Sequence, residues 1–195
     1  MNLTEFTTRV REDLKDTDAQ NYIWTDDEVE GAILRVVDQY SLRAPIQQQT
    51  DITTTDGDTE LDISGLTGIL QIESVEFPIG ETPKHLQHFD HWATLLYMQD
   101  EGDGTDARVR WLKKHTVGAS STIPTEHDEI IVLGATGYLA MSASAYTVDR
   151  AAIAGRYGTQ NYKLWGRERL RRYDQLLDRL TQVSRIRSQQ LYTDD

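Results

Sequence analysis

The sequence contains no cysteine in its 195 residues. Disulfides, thiolate nucleophiles and cysteine-based zinc sites are therefore excluded, as is the class of small secreted domains that disulfides hold together. No apolar stretch approaches the ~18 residues that a membrane-spanning helix requires. The first residues, Met-Asn-Leu-Thr-Glu, lack the basic segment and apolar run of a signal peptide. We therefore expect a soluble protein without a cleavable export signal.

Motifs for catalysis and nucleotide binding are also missing. The sequence has no Gly-x-Ser-x-Gly elbow, Walker A loop, Gly-x-Gly-x-x-Gly loop or His-Glu-x-x-His helix. His85, His88 and His91 come nearest to a metal cluster, but a helix would fan them around its axis and a strand would alternate their faces. The acidic loop of residues 100–106 lacks the spacing of a calcium-binding loop. We therefore expect no enzymatic activity, no cofactor and no bound metal.

Positive charge is scarce everywhere except near the C-terminus. Residues 1–149 contain 10 Lys and Arg against 27 Asp and Glu, whereas residues 150–190 contain 10 against 3. A general DNA-binding protein needs clustered Lys and Arg over the surface that contacts phosphates, which the first 149 residues do not supply. An acidic body and a basic arm favour an assembly protein, because surfaces of opposite charge attract copies or partners.

The N-terminal stretch predicts two helices. Asn2 with Glu5, and Thr25 with Glu28, have the spacing of capping boxes, in which each side chain accepts a hydrogen bond from the other residue's amide. The second helix is expected to end before Pro45, because the residue preceding a proline avoids helical backbone angles. Five apolar positions at helical spacing should form its buried face: Val29, Ile33, Val36, Val37 and Tyr40.

In the middle of the chain, apolar residues recur at every second position, as they do in β-strands. This pattern predicts a β-module of four to six strands. An Asp-Gly turn at residues 56–58 predicts a hairpin between the strands around Ile52 and Leu61. The apolar phase of residues 69–77 shifts partway along, as a β-bulge requires. A second hairpin is expected to join residues 91–98 to residues 107–115 across the acidic loop.

Helical spacing returns after Pro124. Thr125 and Asp128 have capping-box spacing, and the following segment is rich in glycine and alanine, so another helix could approach it closely. Its small residues are Gly134, Ala135, Gly137, Ala140, Ala143 and Ala145. The last helix, roughly residues 160–190, would be about 45 Å long at about 1.5 Å per residue, and we expect part of it to project. Its apolar stripe consists of Leu170, Tyr173, Leu177 and Leu180.

These elements predict an α+β fold: a bundle of about four helices, with a β-module inserted between helices two and three and a long C-terminal helix. The expected organisation is N-terminal helices in residues 1–45, a β-rich insertion in residues 46–120, and the completing helices with the arm in residues 121–195. One domain of ordinary size, or a helical domain with an insertion, fits this length.

The basic last helix is the candidate interaction site. One interpretation is a solvated face whose arginines pair with Asp174 and Asp178 along the helix. The other is an arm that binds an acidic protein surface or a phosphate backbone, with aromatic anchors. Because the same chain offers an acidic body, we favour a protein contact over nucleic acid. The predicted interface residues are Trp165, Arg167, Arg169, Arg172, Tyr173, Arg179, Arg185, Arg187 and Tyr192.

The order of elements resembles the head-to-tail adaptor (connector) proteins of tailed bacteriophages. Residues 23–29, which read Ile-Trp-Thr-Asp-Asp-Glu-Val, carry the resemblance together with Ile33 and the Tyr40-Ser41 pair. So do residues 123–126, which read Ile-Pro-Thr-Glu and lead into the alanine-rich segment. The β-module is larger than in the smallest members of that family.

The resemblance implies a non-enzymatic virion protein located in the neck, between capsid and tail, and assembled in the host cytoplasm. Its partners would be the portal protein, the next neck or tail protein, and copies of itself in a ring, commonly a dodecamer, through which genomic DNA passes. The C-terminal segment would dock on the portal, so removal of residues from Lys163 onward should abolish portal attachment and leave soluble protein. The alternatives are another neck protein, such as a stopper or tail-completion protein, or a small nucleic-acid-binding regulator that uses the basic helix.

Overall fold

The chain forms two compact units. The computed structural model describes residues 1–149 and 158–188. The helical unit consists of Met1–Ala44 and the described residues from His115 onward, and the β unit consists of Pro45–Lys114. The β unit is inserted between the second and third α-helices, and the α+β fold predicted from the sequence is confirmed.

The helical unit begins with α1 (Leu3–Leu14) and α2 (Asp26–Arg43). Both predicted capping boxes are present. The Asn2 carboxamide oxygen accepts the Glu5 amide at 2.9 Å, and the Glu5 carboxylate accepts the Asn2 amide at 2.8 Å. The Thr25 hydroxyl and Glu28 carboxylate make the same exchange at 3.3 and 2.8 Å. Each pair satisfies two backbone donors that the helix itself leaves free.

The predicted apolar face of α2 lies in the core of the helical unit, as expected. Its members are at most 2% exposed: Val29, Ile33, Val36, Val37 and Tyr40. On α1 the residues Phe6, Val10 and Leu14 are buried against the same cluster. Burial of side chains of this size contributes roughly 1.5–3 kcal/mol each before the entropic cost of ordering the chain is subtracted.

The remaining helices of this unit are a short 3₁₀ helix (Thr125–His127), α3 (Asp128–Asp149) and α4 (Gly158–Ser188). The capping box predicted at Thr125 and Asp128 is wrong. Pro124 occupies the position before the 3₁₀ helix and no side chain caps that end. Because the 3₁₀ turn precedes α3, the α-helix begins only at Asp128. Thr125 and Asp128 therefore do not occupy the N-cap and N3 positions of one α-helix.

The small residues of α3 allow α4 to approach closely, as the sequence predicted. A Cβ added at Gly137 would lie 2.9 Å from Cγ of Leu170, and a Cβ added at Gly166 would lie 3.1 Å from Cβ of Ala140. Both distances are shorter than ordinary van der Waals contact. The glycines therefore offset their low helix propensity by permitting close packing of the helices.

The β unit consists of two antiparallel sheets. The first pairs its strands in the order β1 (Ile46–Thr53), β7 (Asp106–Lys113), β3 (Ile69–Glu76) and β4 (Leu86–Gln87). The second has the order β2 (Glu60–Asp62), β6 (Leu95–Met98) and β5 (Phe89–Trp92). Residues of both sheets form one apolar core: Leu61, Ile63, Ile72, Val75, Phe77, Leu96, Met98, Ala107, Val109 and Trp111.

Both predicted hairpins are wrong, although the predicted bulge is confirmed. Strand β1 pairs with β7, and β2 pairs with β6, so the Asp-Gly turn at residues 56–58 joins strands of different sheets. The acidic loop of residues 100–106 likewise connects β6 to β7 without pairing them. The register of β3 against β7 shifts between Ile72 and Ser74, where the apolar phase of the sequence changes.

Two ion pairs cross the first sheet. The Arg108 guanidinium donates to both carboxylate oxygens of Asp51 at 2.9 Å, and Arg110 donates to Glu76 at 2.6 Å. Glu76 is 1% exposed. Burial opposes its ionisation, but the hydrogen bond from the Gly80 amide and the neighbouring Arg110 hold the pKa of Glu76 below its usual value. The carboxylate is therefore charged and paired.

A buried histidine holds the ends of three segments of the helical unit together. The His115 ring lies 2.9 Å from the Ala44 carbonyl through Nε2 and 3.0 Å from the Thr122 carbonyl through Nδ1. The ring of Tyr40 packs edge-on against it with centroids 5.0 Å apart, and His127 lies against the same tyrosine. Burial lowers the pKa of His115, outweighing the two carbonyl contacts that favour the charged form.

We expect the stability of the helical unit to fall as the pH decreases through about 6.5, the ordinary pKa of histidine. Because the pKa of His115 is lower in the folded chain, the unfolded chain binds more protons between the folded and unfolded values. The contribution of neutral His115 to the free energy of unfolding is fully present at pH values above the pKa of the unfolded chain. It is lost as the pH falls from that value to the pKa of the folded chain.

Urea unfolding at about pH 7.5 and about pH 5.5 measures this effect. In the His115→Gln variant, which keeps a donor but does not titrate, the decrease in unfolding free energy between the two pH values should be smaller. The other histidines are the same in both proteins, so an equal decrease in the two would contradict the assignment to His115.

Candidate interaction surface

One side of α4 belongs to the core of the helical unit. Tyr173 and Leu177 are 1% and 4% exposed, and Trp165 and Leu180 are partly buried against the same cluster. The Tyr173 hydroxyl donates to the Val36 carbonyl at 3.3 Å, and burial raises the pKa of this tyrosine well above its ordinary value. The helix therefore packs into the bundle between Trp165 and Leu180.

Three of the predicted interface residues face into the unit. Tyr173 is buried, so its prediction as an exposed aromatic anchor is wrong. Arg169 pairs with Asp13, donates to the Thr136 hydroxyl at 2.9 Å, and lies over the Trp165 ring with its guanidinium carbon 4.2 Å from the centroid. Arg169 thus joins α4 to α1 and α3, and Trp165 is partly buried against the core of the unit.

The same packing overturns the expected effect of removing residues from Lys163 onward. That truncation would delete Tyr173 and Leu177, as well as Gly166, at the contact with α3. Loss of large buried side chains costs about 2–5 kcal/mol each, so the truncated chain would lose its core rather than an accessory arm.

The other side of α4 is exposed, and five of its ten exposed described residues are basic against three that are acidic. Three arginines that were predicted as interface residues lie there: Arg167, Arg172 and Arg179. In the described part of the chain, neither these three nor the exposed Lys163 forms an ion pair. Their charges are therefore available to a partner.

Two neighbouring basic groups are already paired at the surface. Arg171 donates to Glu168 at 2.6 Å within α4, and the hydrogen bond from that arginine lowers the pKa of Glu168. Arg43 of α2 donates to Asp178 at 2.7 Å. The interpretation of the helix as a solvated face with internal pairs thus describes only Glu168 with Arg171, because Asp178 pairs with α2 and Asp174 forms no ion pair among the described residues. Four cations on the described part of the helix are left without a carboxylate partner.

Helical geometry separates these four cations into two surfaces. At about 100° per residue, Lys163 and Arg167 lie on one flank of the exposed side, and Arg172 and Arg179 lie on the other. We call them the first and second basic flanks. Leu164, which is 64% exposed, lies beside the first flank. The predicted residues Arg185, Arg187 and Tyr192 lie outside the part of the chain whose side chains the structure describes.

The β unit presents a surface that the sequence did not reveal. On the outer face of its three-stranded sheet, Trp92 pairs with Leu95 and Tyr97 pairs with Asp90. Trp92 is 76% exposed and Tyr97 is 37% exposed. The chain reverses between β5 and β6 through Ala93, whose φ is +53°, instead of through the Asn-Gly or Asp-Gly pair typical of tight hairpins. The sequence analysis predicted a single strand over residues 91–98 and therefore missed this hairpin.

Acidic residues surround these aromatic side chains. Glu60 and Asp90 lie directly opposite Tyr97 on the two strands that flank β6, and Asp62 lies opposite Leu95. The whole β unit contains thirteen Asp and Glu against five Lys and Arg. We call Glu60, Asp62, Asp90, Trp92 and Tyr97 the acidic aromatic face.

Searches for a metal centre and for a membrane span gave no candidate within the described residues. No group of three His, Asp or Glu side chains there could hold a metal ion together. The His91 ring contacts the Ala93 carbonyl at 3.0 Å, within its own hairpin. No helix among residues 1–149 and 158–188 is long and apolar enough to cross a membrane.

Comparison with known proteins found similarity in structure but none in sequence. No protein-family model and no curated protein matches the sequence. A solved structure described as the virion of a native gene transfer agent particle is similar over 86% of this chain and 88% of that chain, with 12% sequence identity and a TM-score of 0.32. A similarity this low carries no argument about function.

Proposed function

We propose that this chain is a non-enzymatic structural protein of a virion, a ring-forming adaptor that joins the portal of a DNA-filled capsid to the neck or tail. The observation that carries the proposal is the exposed basic side of α4 on a chain whose residues 1–149 contain 10 Lys and Arg against 27 Asp and Glu. Two surfaces of opposite charge on one protein favour contacts with neighbours over an isolated activity.

The architecture supports an adaptor over the alternative neck proteins. A stopper or tail-completion protein would be dominated by β-structure, whereas the described part of this chain has four α-helices, of which α4 extends over 31 residues. The resemblance of the sequence to head-to-tail adaptors rests on the same order of elements. In that order, two N-terminal helices precede the β unit, and α3 and α4 follow it.

The charge distribution also fits passage of DNA through a ring. A wall rich in carboxylates repels phosphates and lets a duplex slide, whereas a basic wall would retain it in a salt-dependent way. We therefore assign the acidic surfaces to the conduit and to neighbouring copies, and the second basic flank to the portal.

Binding to the portal protein of the same virus tests the proposal. The full-length chain should co-sediment with assembled portal, and the Arg172→Glu/Arg179→Glu variant should bind at least about tenfold more weakly, because both arginines are exposed and unpaired. The matched control is Arg9→Glu/Lys15→Glu, which changes the charge equally at exposed positions of the N-terminal segment. This control should bind portal like the unaltered chain.

The nucleic-acid alternative predicts a different result in the same assay. A regulator that uses the basic helix would bind duplex DNA at physiological salt and lose that binding when Arg171 and Arg172 are reversed. Absence of portal binding by the unaltered chain, together with such duplex binding, would contradict the adaptor proposal.

A further inference from the structure

The acidic aromatic face has the composition of a protein-binding surface. A tryptophan that is 76% exposed is unusual on a folded domain, and tryptophan and tyrosine are the residues most often responsible for binding energy at protein interfaces. In the described part of the chain, no Lys or Arg pairs with Glu60, Asp62 or Asp90. The face therefore offers apolar contact area together with unneutralised negative charge.

Its carboxylates are held on a regular framework. Glu60, Tyr97 and Asp90 form one row across the three strands, and Asp62, Leu95 and Trp92 form the next. Neighbouring strands are about 4.8 Å apart, so the carboxylate-bearing residues of the first row are separated by roughly 10 Å with the tyrosine between them. The Ser64 amide donates to Asp62 at 2.8 Å and lowers the pKa of Asp62, which keeps that side chain charged.

The first basic flank has the complementary composition. Lys163 and Arg167 are exposed one helical turn apart, with a rise of about 6 Å between them, and neither pairs with a carboxylate in the described residues. Leu164, which is 64% exposed, lies beside them. Both long cationic side chains extend along one side of the exposed leucine, so a helix of this kind can place the leucine on an aromatic ring and its cations on neighbouring carboxylates.

We propose that the acidic aromatic face of one copy binds the first basic flank of a second copy of this chain. Leu164 packs on Trp92, and Lys163 and Arg167 pair with Glu60 and Asp90 on either side of Tyr97. Arginine also stacks favourably on aromatic rings, which adds to the charge pairing.

A contact of this kind joins two different surfaces of identical chains. Such an interface is heterologous, and repetition of it closes a ring or extends a filament. The inference rests on the proposed function, in which copies form a ring, and it names the contact between neighbours. It also assigns the two basic flanks to different partners, the first to a copy and the second to the portal.

Charge reversal of each surface tests the inference by sedimentation velocity of the full-length chain. The acidic-face variant is Glu60→Lys/Asp90→Lys, and the basic-flank variant is Lys163→Glu/Arg167→Glu. The unaltered chain should associate, whereas each variant alone should be monomeric with an association constant at least about tenfold lower. An equimolar mixture should associate again, because the unaltered flank of one variant meets the unaltered face of the other, and the two reversed surfaces are also of opposite charge.

The matched control reverses two other exposed carboxylates of the β unit, Asp56→Lys/Glu81→Lys, and should associate like the unaltered chain. A second measurement uses the absence of cysteine. Chains carrying Trp92→Cys or Leu164→Cys, distinguished by tags of different length, should form the mixed disulfide in preference to either homodisulfide under mild oxidation.

Three results would overturn the inference. The first is an unaltered chain that forms no oligomers together with cysteine variants that form no mixed disulfide. The others are charge-reversal variants that associate like the control, or homodisulfides as frequent as the mixed species. These results differ from failure of the proposed function. A chain that associates in the predicted way but does not bind portal contradicts only the adaptor proposal. If the acidic-face variant and the basic-flank variant both still form a ring on the portal, only this inference is contradicted.

Discussion

Replacing Arg11 with methionine is expected to lower the free energy of unfolding by about 3–5 kcal/mol. Arg11 is 5% exposed and Asp16 is 3% exposed. The guanidinium donates to Asp16 at 2.7 Å, to the Trp24 carbonyl at 3.0 Å and to Asp26 at 2.7 Å. Its removal leaves the Asp16 carboxylate buried without a counter-charge.

This cluster fixes the connection between α1 and α2. Besides Arg11, the Asp16 carboxylate accepts the Ile23 amide at 2.8 Å, and the ring of Tyr22 covers the guanidinium at 3.6 Å. One pair of buried charges therefore positions both the end of α1 and the chain that leads into the Thr25 cap. The cost of losing one partner is large because the remaining charge is not hydrated.

Urea unfolding followed by circular dichroism measures the effect. The matched control is Arg9→Met on the same helix, where an exposed arginine pairs with Glu129 at 3.1 Å and is expected to contribute about 0–1 kcal/mol. The Arg11→Met/Asp16→Asn double variant should be more stable than Arg11→Met alone, because asparagine still accepts the Ile23 amide without a charge. Equal losses for Arg11→Met and Arg9→Met would contradict the assignment.

Replacing Gly102 with alanine is expected to destabilise the β unit by about 3 kcal/mol. A Cβ at this position would lie 2.5 Å from the Thr55 carbonyl oxygen and 2.7 Å from Cβ of Thr54. The backbone cannot shift to relieve the contact without losing hydrogen bonds, because the Gly102 amide donates to Asp58 at 2.8 Å and its carbonyl accepts from Gly57 at 2.9 Å.

A glycine with open surroundings in the same unit provides the control. A Cβ at Gly65 would meet nothing within 4 Å, so Gly65→Ala should leave stability unchanged or raise it by about 0.4–1 kcal/mol by restricting the unfolded chain. Thermal unfolding of the two variants should differ by several degrees, with the Gly102 variant lower. Identical midpoints would show that the acidic loop does not pack as described.

The helices were predictable from sequence because their signals are local. A capping box spans four residues and an apolar stripe repeats every turn, so Asn2, Thr25 and the buried face of α2 could be assigned without knowledge of the rest of the chain. The capping box predicted at Thr125 was wrong because a local spacing does not guarantee the local structure. The spacing of Thr125 and Asp128 is present, but Pro124 leads into a 3₁₀ turn and the cap does not form.

Strand pairing was not predictable in this way because the partners are distant in sequence. Residues Ile46 and Lys113 pair although the rest of the β unit separates them, and no local turn specifies that choice. Asp-Gly at residues 56–57 is a strong hairpin signal, yet here the flanking segments find better partners in β6 and β7. Burial of both inner sheet faces in one core decides the pairing.

The sequence predicted that the candidate site is basic, but it did not predict which of its side chains are exposed. Counting residues locates the basic segment, but only the packing of α4 shows that Arg169 and Tyr173 face the unit while Arg172 and Arg179 face outward. For Tyr173 the apolar stripe already contained the signal, since the residue lies in register with Leu170 and Leu177. The acidic aromatic face depends on a hairpin that lacks the usual turn residues, so no local pattern indicated it.

Electron cryo-microscopy of the full-length chain mixed with the portal of the same virus tests the central claim most directly. We expect a ring of copies coaxial with the portal, with the second basic flank of α4 against the portal and the acidic surfaces toward the channel. Chains that remain single and leave the portal bare, while binding duplex DNA, would contradict it.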